Sequence, residues 1–124
     1  MSALELLLVA VGGGVGAALR FLLDGLVKAR VSGFPLGTVV INVSGSLVLG
    51  LLTGLGQAGT LPLPAVAILG TGMMGGYTTF STASVETVQL LRSGKTRLAV
   101  LNGLGMLVVS VGAAALGLLL GRNT

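Results

Sequence analysis

The 124-residue chain has no cysteine, no histidine and no tryptophan, and its only carboxylates are Glu5, Asp24 and Glu86. Without cysteine there is neither a disulfide framework nor a thiolate metal site. Without histidine, and with three acids far apart in sequence, most metal-centred and nucleophilic catalysis is excluded, and the chain reads as a non-enzyme. No phosphate-binding loop is present to supply an energy source. Charge of either sign is scarce. Charged residues make up 8% of the chain, against about 25% in a soluble domain. So few charges cannot solvate a globule whose composition is 53% hydrophobic and whose mean hydropathy is +1.06. The same apolar content excludes disorder. The net charge of +4 does not point to nucleic acid, because the basic residues are not interleaved with aromatics, which make up only 3% of the chain. Lipid is the solvent that fits, and a multi-pass protein of the cell membrane is expected.

Crossing about 30 Å of hydrocarbon takes about 20 apolar residues. Four such stretches cover residues 4–27, 36–57, 63–91 and 98–121, with turn-rich connections at 31–35, 58–62 and 93–95. They use the whole chain as one four-span transmembrane domain over residues 1–124, all-α in class. The leading apolar run lacks the basic start of a cleavable signal and outlasts its length. Loop charge sets orientation. The side of the first and third connections carries Lys28, Arg30, Arg92, Lys95 and Arg97, and the opposite side holds Arg122 alone. The basic loops are therefore expected in the cytoplasm, with both termini outside.

Glycine is abundant, 22 residues in all. The pairs Gly12/Gly16, Gly50/Gly54, Gly72/Gly76 and Gly117/Gly121 have the GxxxG spacing that lets membrane helices approach closely. This spacing predicts tight packing and self-association. The run Gly12-Gly13-Gly14-Val15-Gly16-Ala17 also satisfies a dinucleotide-binding pattern. It lacks the flanking strand and the downstream acid that this chemistry needs, so it reads as helix packing.

Four polar features sit within these apolar spans. Arg20 and Asp24, one turn apart, either pair or reach the interface. Asn42 needs a partner: its carboxamide either bonds a neighbouring helix or offers N–H donors to an anion, on a face shared with Gly45 and Ser46. The stretch Gly75-Gly76-Tyr77-Thr78-Thr79-Phe80-Ser81-Thr82-Ala83-Ser84 combines adjacent glycines with β-branched hydroxyl residues, both poor helix formers. It predicts a break near the middle of the third span. Freed carbonyls there suit a hard cation, and hydroxyls and amides suit an anion; the alternative is an internally bonded kink. Glu86, near the basic-loop end, reads as a solvated or hydroxyl-bonded carboxylate.

Three blocks in order (Gly13-Gly14-Val15-Gly16-Ala17 with Arg20; Gly37-Thr38 with Asn42 and Gly45; Gly75 through Thr82 with Glu86) resemble the signature of the Fluc/CrcB fluoride channels. The resemblance spans essentially the whole chain. It implies an antiparallel dimer with two narrow fluoride pathways and passive export of fluoride, which lowers its toxicity in the cytoplasm. It implies a structural, untransported Na⁺ held by the backbone carbonyls of Gly75 and Thr78. It places Asn42, Phe80 and Ser110 on the fluoride pathway. Thr79, Ser81 and Thr82 join them as neutral donors, which bind an anion without trapping it.

Two features depart from the family pattern. Ala83 stands where the family usually has a second phenylalanine. The loop-charge bias of five to one would fix a single orientation, whereas an antiparallel homodimer needs both. These features imply either a homodimer or a heterodimer with an oppositely oriented homologous subunit. Two other functions compete: a proton-coupled exporter resembling the small multidrug-resistance transporters, which would need a mid-membrane carboxylate, and a partner subunit with a degenerate pore.

Overall fold

The structure, a computed structural model, describes residues 1–124 and is helical throughout, with no strands. Helix α1 is Ala3–Lys28, α2 is Leu36–Gln57 and α5 is Thr96–Arg122. These three are long and apolar enough to cross a membrane, and they match the first, second and fourth expected stretches. The third stretch is two shorter helices. Helix α3 covers 63–77, with a π-helical section over Ala67–Met74, and α4 covers Ser81–Arg92. At 1.5 Å per residue they are about 22 and 18 Å long, so neither alone spans about 30 Å.

Local chemistry sets the ends. Ser2 and Glu5 form a capping box on α1: the Ser2 hydroxyl accepts from the Glu5 N–H at 3.1 Å, and the Glu5 carboxylate accepts from the Ser2 N–H at 3.2 Å. Helices α2 and α4 both end in Schellman turns. Gly59 (φ +78°) and Gly94 (φ +76°) take the left-handed position that other residues rarely adopt. The following amides of Thr60 and Lys95 reach back to the carbonyls of Leu55 and Leu90.

Packing runs along two parallel seams. Helix α1 lies along α3, and α2 lies along α5. A Cβ on Gly16 would strike the Met73 carbonyl, and one on Gly76 would strike the carbonyl of Gly13. On the other seam, Gly50 abuts the Ala114 carbonyl and Gly117 the Leu47 carbonyl. The expected tight packing is present, with the GxxxG pairs used in contacts within one chain. The buried apolar set is small: Ile41, Met74, Leu90, Ala99 and Met106. Most large leucines and valines point outward, the inverse of a water-soluble core and the arrangement that lipid permits.

Of the two alternatives for Arg20 and Asp24, pairing is not the one found. Asp24 bonds Lys28 instead, at 2.8 Å. Both bases lie four residues from the acid, but an acid N-terminal to its base is the better orientation on a helix.

Candidate functional site

The chain leaves the helix at Thr78, which is extended (φ −83°, ψ 158°), and re-enters it at Ser81. A break inside apolar surroundings frees backbone groups that must find partners. The Thr78 N–H and hydroxyl both donate to the Met74 carbonyl, at 3.0 and 2.9 Å. The Thr79 peptide is held by Asn42 from both sides. The Thr79 N–H donates to Asn42 Oδ1 at 2.8 Å, and Asn42 Nδ2 donates to the Thr79 carbonyl at 2.7 Å. Thr79 Oγ1 accepts from the Thr82 N–H at 3.1 Å and so caps α4. One turn along α2 from Asn42, Gly45 has no side chain, which lets Thr78 and the Tyr77 ring lie flat against it. The Tyr77 hydroxyl meets Ser44 Oγ at 2.9 Å.

This arrangement changes what two carbonyls can do. In an unbroken helix the amides of Thr79 and Thr82 would close on the carbonyls of Gly75 and Thr78. Here those amides go to Asn42 Oδ1 and Thr79 Oγ1 instead. Gly75 is exposed, and a Cβ there would meet nothing within 4 Å. No group of three His, Cys, Asp or Glu side chains could hold a metal. The oxygens at the break are therefore hard, neutral ligands, of the type suited to an alkali cation and not to a transition metal.

Beside the break lies a groove of about 540 Å³ between α2, α4 and α5. Asn42, Thr78, Thr79, Phe80, Ala83 and Ser110 line it, together with Asn102, Met106 and Thr87. Phe80 is 87% exposed, its ring standing free at the groove's edge. The remaining Asn42 donor rests on Met106 Sδ at 3.1 Å; a thioether is a weak acceptor that a better one displaces. Ser110 Oγ is buried without a partner.

Asn102, which the sequence reading passed over, is fully buried. Its Nδ2 donates to Thr87 Oγ1 at 2.8 Å, and that hydroxyl donates to the Ala83 carbonyl at 2.8 Å. The other end of its amide, Oδ1, has no partner. A signal for it was present: a carboxamide in an uncharged span, eight residues and so about two turns from Ser110.

Two expected site residues lie elsewhere. Thr82 faces a separate cavity of about 210 Å³, with Arg20, Asp24, Thr38 and Thr79. Ser81 is exposed and lines neither space, its Oγ 3.4 Å from Thr79 Oγ1. They turn away because α4 starts at Ser81, and a helix rotates successive side chains by about 100°. Thr79 lines both spaces, so its bonded peptide forms the partition between them.

A family model described as "CrcB-like protein, Camphor Resistance (CrcB)" matches residues 7–118. The fluoride-specific ion channel FluC 1 of Leifsonia xyli subsp. xyli is 53% identical over 122 residues, covering 98% of this chain and 89% of its own. FluC 2 of Cutibacterium acnes is 48% identical, over 97% of this chain and 99% of its own. FluC of Shewanella halifaxensis is 42% identical, over 96% and 94%. The broken helix, its asparagine clasp and similarity along nearly the whole length lead to one assignment: the chain belongs to the CrcB family.

Proposed function

We propose that this chain is a subunit of a fluoride-specific channel in the cell membrane, through which fluoride leaves the cytoplasm passively. The observation that carries this reading is the groove at the break. Its polar lining is entirely uncharged, Asn42 holds a spare N–H there against a weak thioether acceptor, and the Ser110 hydroxyl is buried with no partner. Fluoride is small and strongly hydrated, so its water must be replaced at each step. Neutral donors in series do this without the deep well that a buried lysine or arginine would create. The positive edge of the Phe80 ring can face the anion. Hydrogen fluoride crosses lipid from acidic surroundings and ionises inside, and a negative-inside potential drives the trapped anion out.

The assembly follows from the same features. Helices α3 and α4 together make the third of four crossings, which the parallel seams of α1 with α3 and α2 with α5 support. Two chains pair antiparallel about an axis in the membrane plane, bringing both breaks to one depth. The Gly75 and Thr78 carbonyls would then hold a structural Na⁺, two oxygens from each chain. When bound, the ion neutralises the carbonyl dipoles gathered where the two breaks meet. Ala83 and the loop-charge bias favour a heterodimer with an oppositely oriented homologue. Relatives in other organisms carry numbered names, FluC 1 and FluC 2, a numbering that fits two such chains in one cell.

The exporter alternative needs a mid-membrane carboxylate, whereas Glu5 is engaged in the capping box at the end of α1 and Glu86 lines the cavity beside Lys28 and the 31–35 connection. Fluoride efflux from liposomes bearing the chain, alone and with its homologous partner, tests the proposal. Fast fluoride flux with negligible chloride flux is expected, falling at least tenfold when N-methylglucamine replaces Na⁺. Equal chloride flux overturns the channel reading. Flux indifferent to Na⁺ removes the cation. Full flux from the chain alone, inserted in both orientations, removes the obligate partner.

A further inference from the structure

Where α1 ends, a cavity of about 360 Å³ opens between Lys28, the 31–35 connection and the last turns of α4. Glu86, Gln89, Ser32 and Ser93 supply its polar lining. Glu86 lines it, and its Oε1 is shielded from water with no hydrogen-bond partner. A carboxylate oxygen shielded from water calls for a cation or a donor. Lys28 does not meet that need, since its ammonium is bonded to Asp24 at 2.8 Å. Asp24, Lys28 and Glu86 together carry one net negative charge. An anionic ligand would leave Glu86 unpaired, and a ligand with its own ammonium completes it.

A second space says what such a ligand is attached to. Along the outer face of α1 runs a mostly apolar groove of about 490 Å³, lined by Phe21, Leu22, Asp24, Gly25, Leu26 and Lys28, the last of which also lines the polar cavity. Gly25 makes its notch: a Cβ there would meet nothing within 4 Å. A free ion has no use for an apolar groove leading toward mid-membrane, whereas an acyl chain does. The junction lies at the end of the molecule that carries Arg30, Arg92, Lys95 and Arg97, all exposed, and these basic residues attract phosphate at the membrane surface.

We propose that this end of α1 binds an ethanolamine phospholipid. Its primary ammonium lies against Glu86 with Gln89 and the serine hydroxyls, its phosphate lies toward the exposed basic residues of this end, and an acyl chain follows the Gly25 notch. A primary ammonium offers three N–H donors to these oxygens. A choline head group offers none, so the site distinguishes the two. This inference is independent of the conduction pathway.

Native mass spectrometry of the purified full chain in detergent, titrated with ethanolamine, choline and glycerol phospholipids of identical acyl chains, provides the test. At least fivefold more bound ethanolamine lipid than choline lipid is expected, with the preference lost in Glu86→Gln. Gly25→Leu, which fills an open notch, reduces lipid retention at least fivefold, so the test stands even if the Glu86 variant fails to fold. Equal retention of choline lipid overturns the proposal. So does preferential retention of the glycerol lipid, which would mean that the basic rim alone attracts an anionic head group. Wild-type retention by Gly25→Leu overturns it as well.

Discussion

Asn42 carries two duties with one carboxamide. Its oxygen and one N–H replace the helical partners of the Thr79 peptide, and its second N–H faces the groove across a weak acceptor. The sequence left open whether this residue bonds a neighbouring helix or serves an anion; the structure shows the bond to the neighbour, and under the proposed function that bond aims the spare donor. Asn42→Asp keeps the acceptor for the Thr79 N–H but loses both donors. It leaves the Thr79 carbonyl facing a negative charge, and an unsatisfied buried group costs about 1–3 kcal/mol. Fluoride efflux from liposomes is expected to fall at least tenfold, measured as the initial rate on an ion-selective electrode; an unchanged rate removes Asn42 from the pathway. Asp24 makes a related point. Spacing alone leaves Lys28 and Arg20 equal, one turn away on either side, and the order of acid before base along α1 favours Lys28.

At the scale of the helix, the break was visible in the sequence but its exact place was not. The expected stretch ran from Gly75 to Ser84, and within it Gly75 and Gly76 remain helical while the chain departs at Thr78, among the hydroxyl residues. Gly76 is needed for a different purpose, the close approach of α3 to Gly13. The departure falls where Asn42 waits to receive the freed peptide. The glycine seams make a second prediction. Gly50→Ala drives a methyl into the Ala114 carbonyl and should destabilise the fold by about 1–3 kcal/mol, as overpacking does. Gly112→Ala, where a Cβ meets nothing within 4 Å, should be neutral or stabilising by up to about 1 kcal/mol. Denaturation midpoints of the two variants in detergent check the contrast. Similar losses in both would mean that the seams do not hold the bundle together.

For the whole molecule, the decisive quantity is the charge difference between its two ends. Five basic residues against one should insert every copy the same way. Because the chain contains no cysteine, a single Thr124→Cys label reports the side of the C-terminus cleanly. The expected outcome is labelling from outside only. Replacing Arg92, Lys95 and Arg97 with glutamine should give labelling from both sides. Two-sided labelling of the otherwise unaltered chain would remove the need for an oppositely oriented partner.

Composition and periodicity alone determined the solvent, the apolar stretches and the region of the break, and the three motif blocks carried the resemblance to the family. These depend on properties each residue carries wherever it sits: how it partitions between water and lipid, and how readily it joins a helix. Only the tertiary structure decided which groups meet. It matched Asn42 to the Thr79 peptide, gave Asp24 to Lys28, spent the glycine pairs inside one chain and left one end of Asn102 open. In each case several chemically equivalent partners were present in the sequence. Helix register and side-chain direction chose among them, and neither is set until the helices have packed.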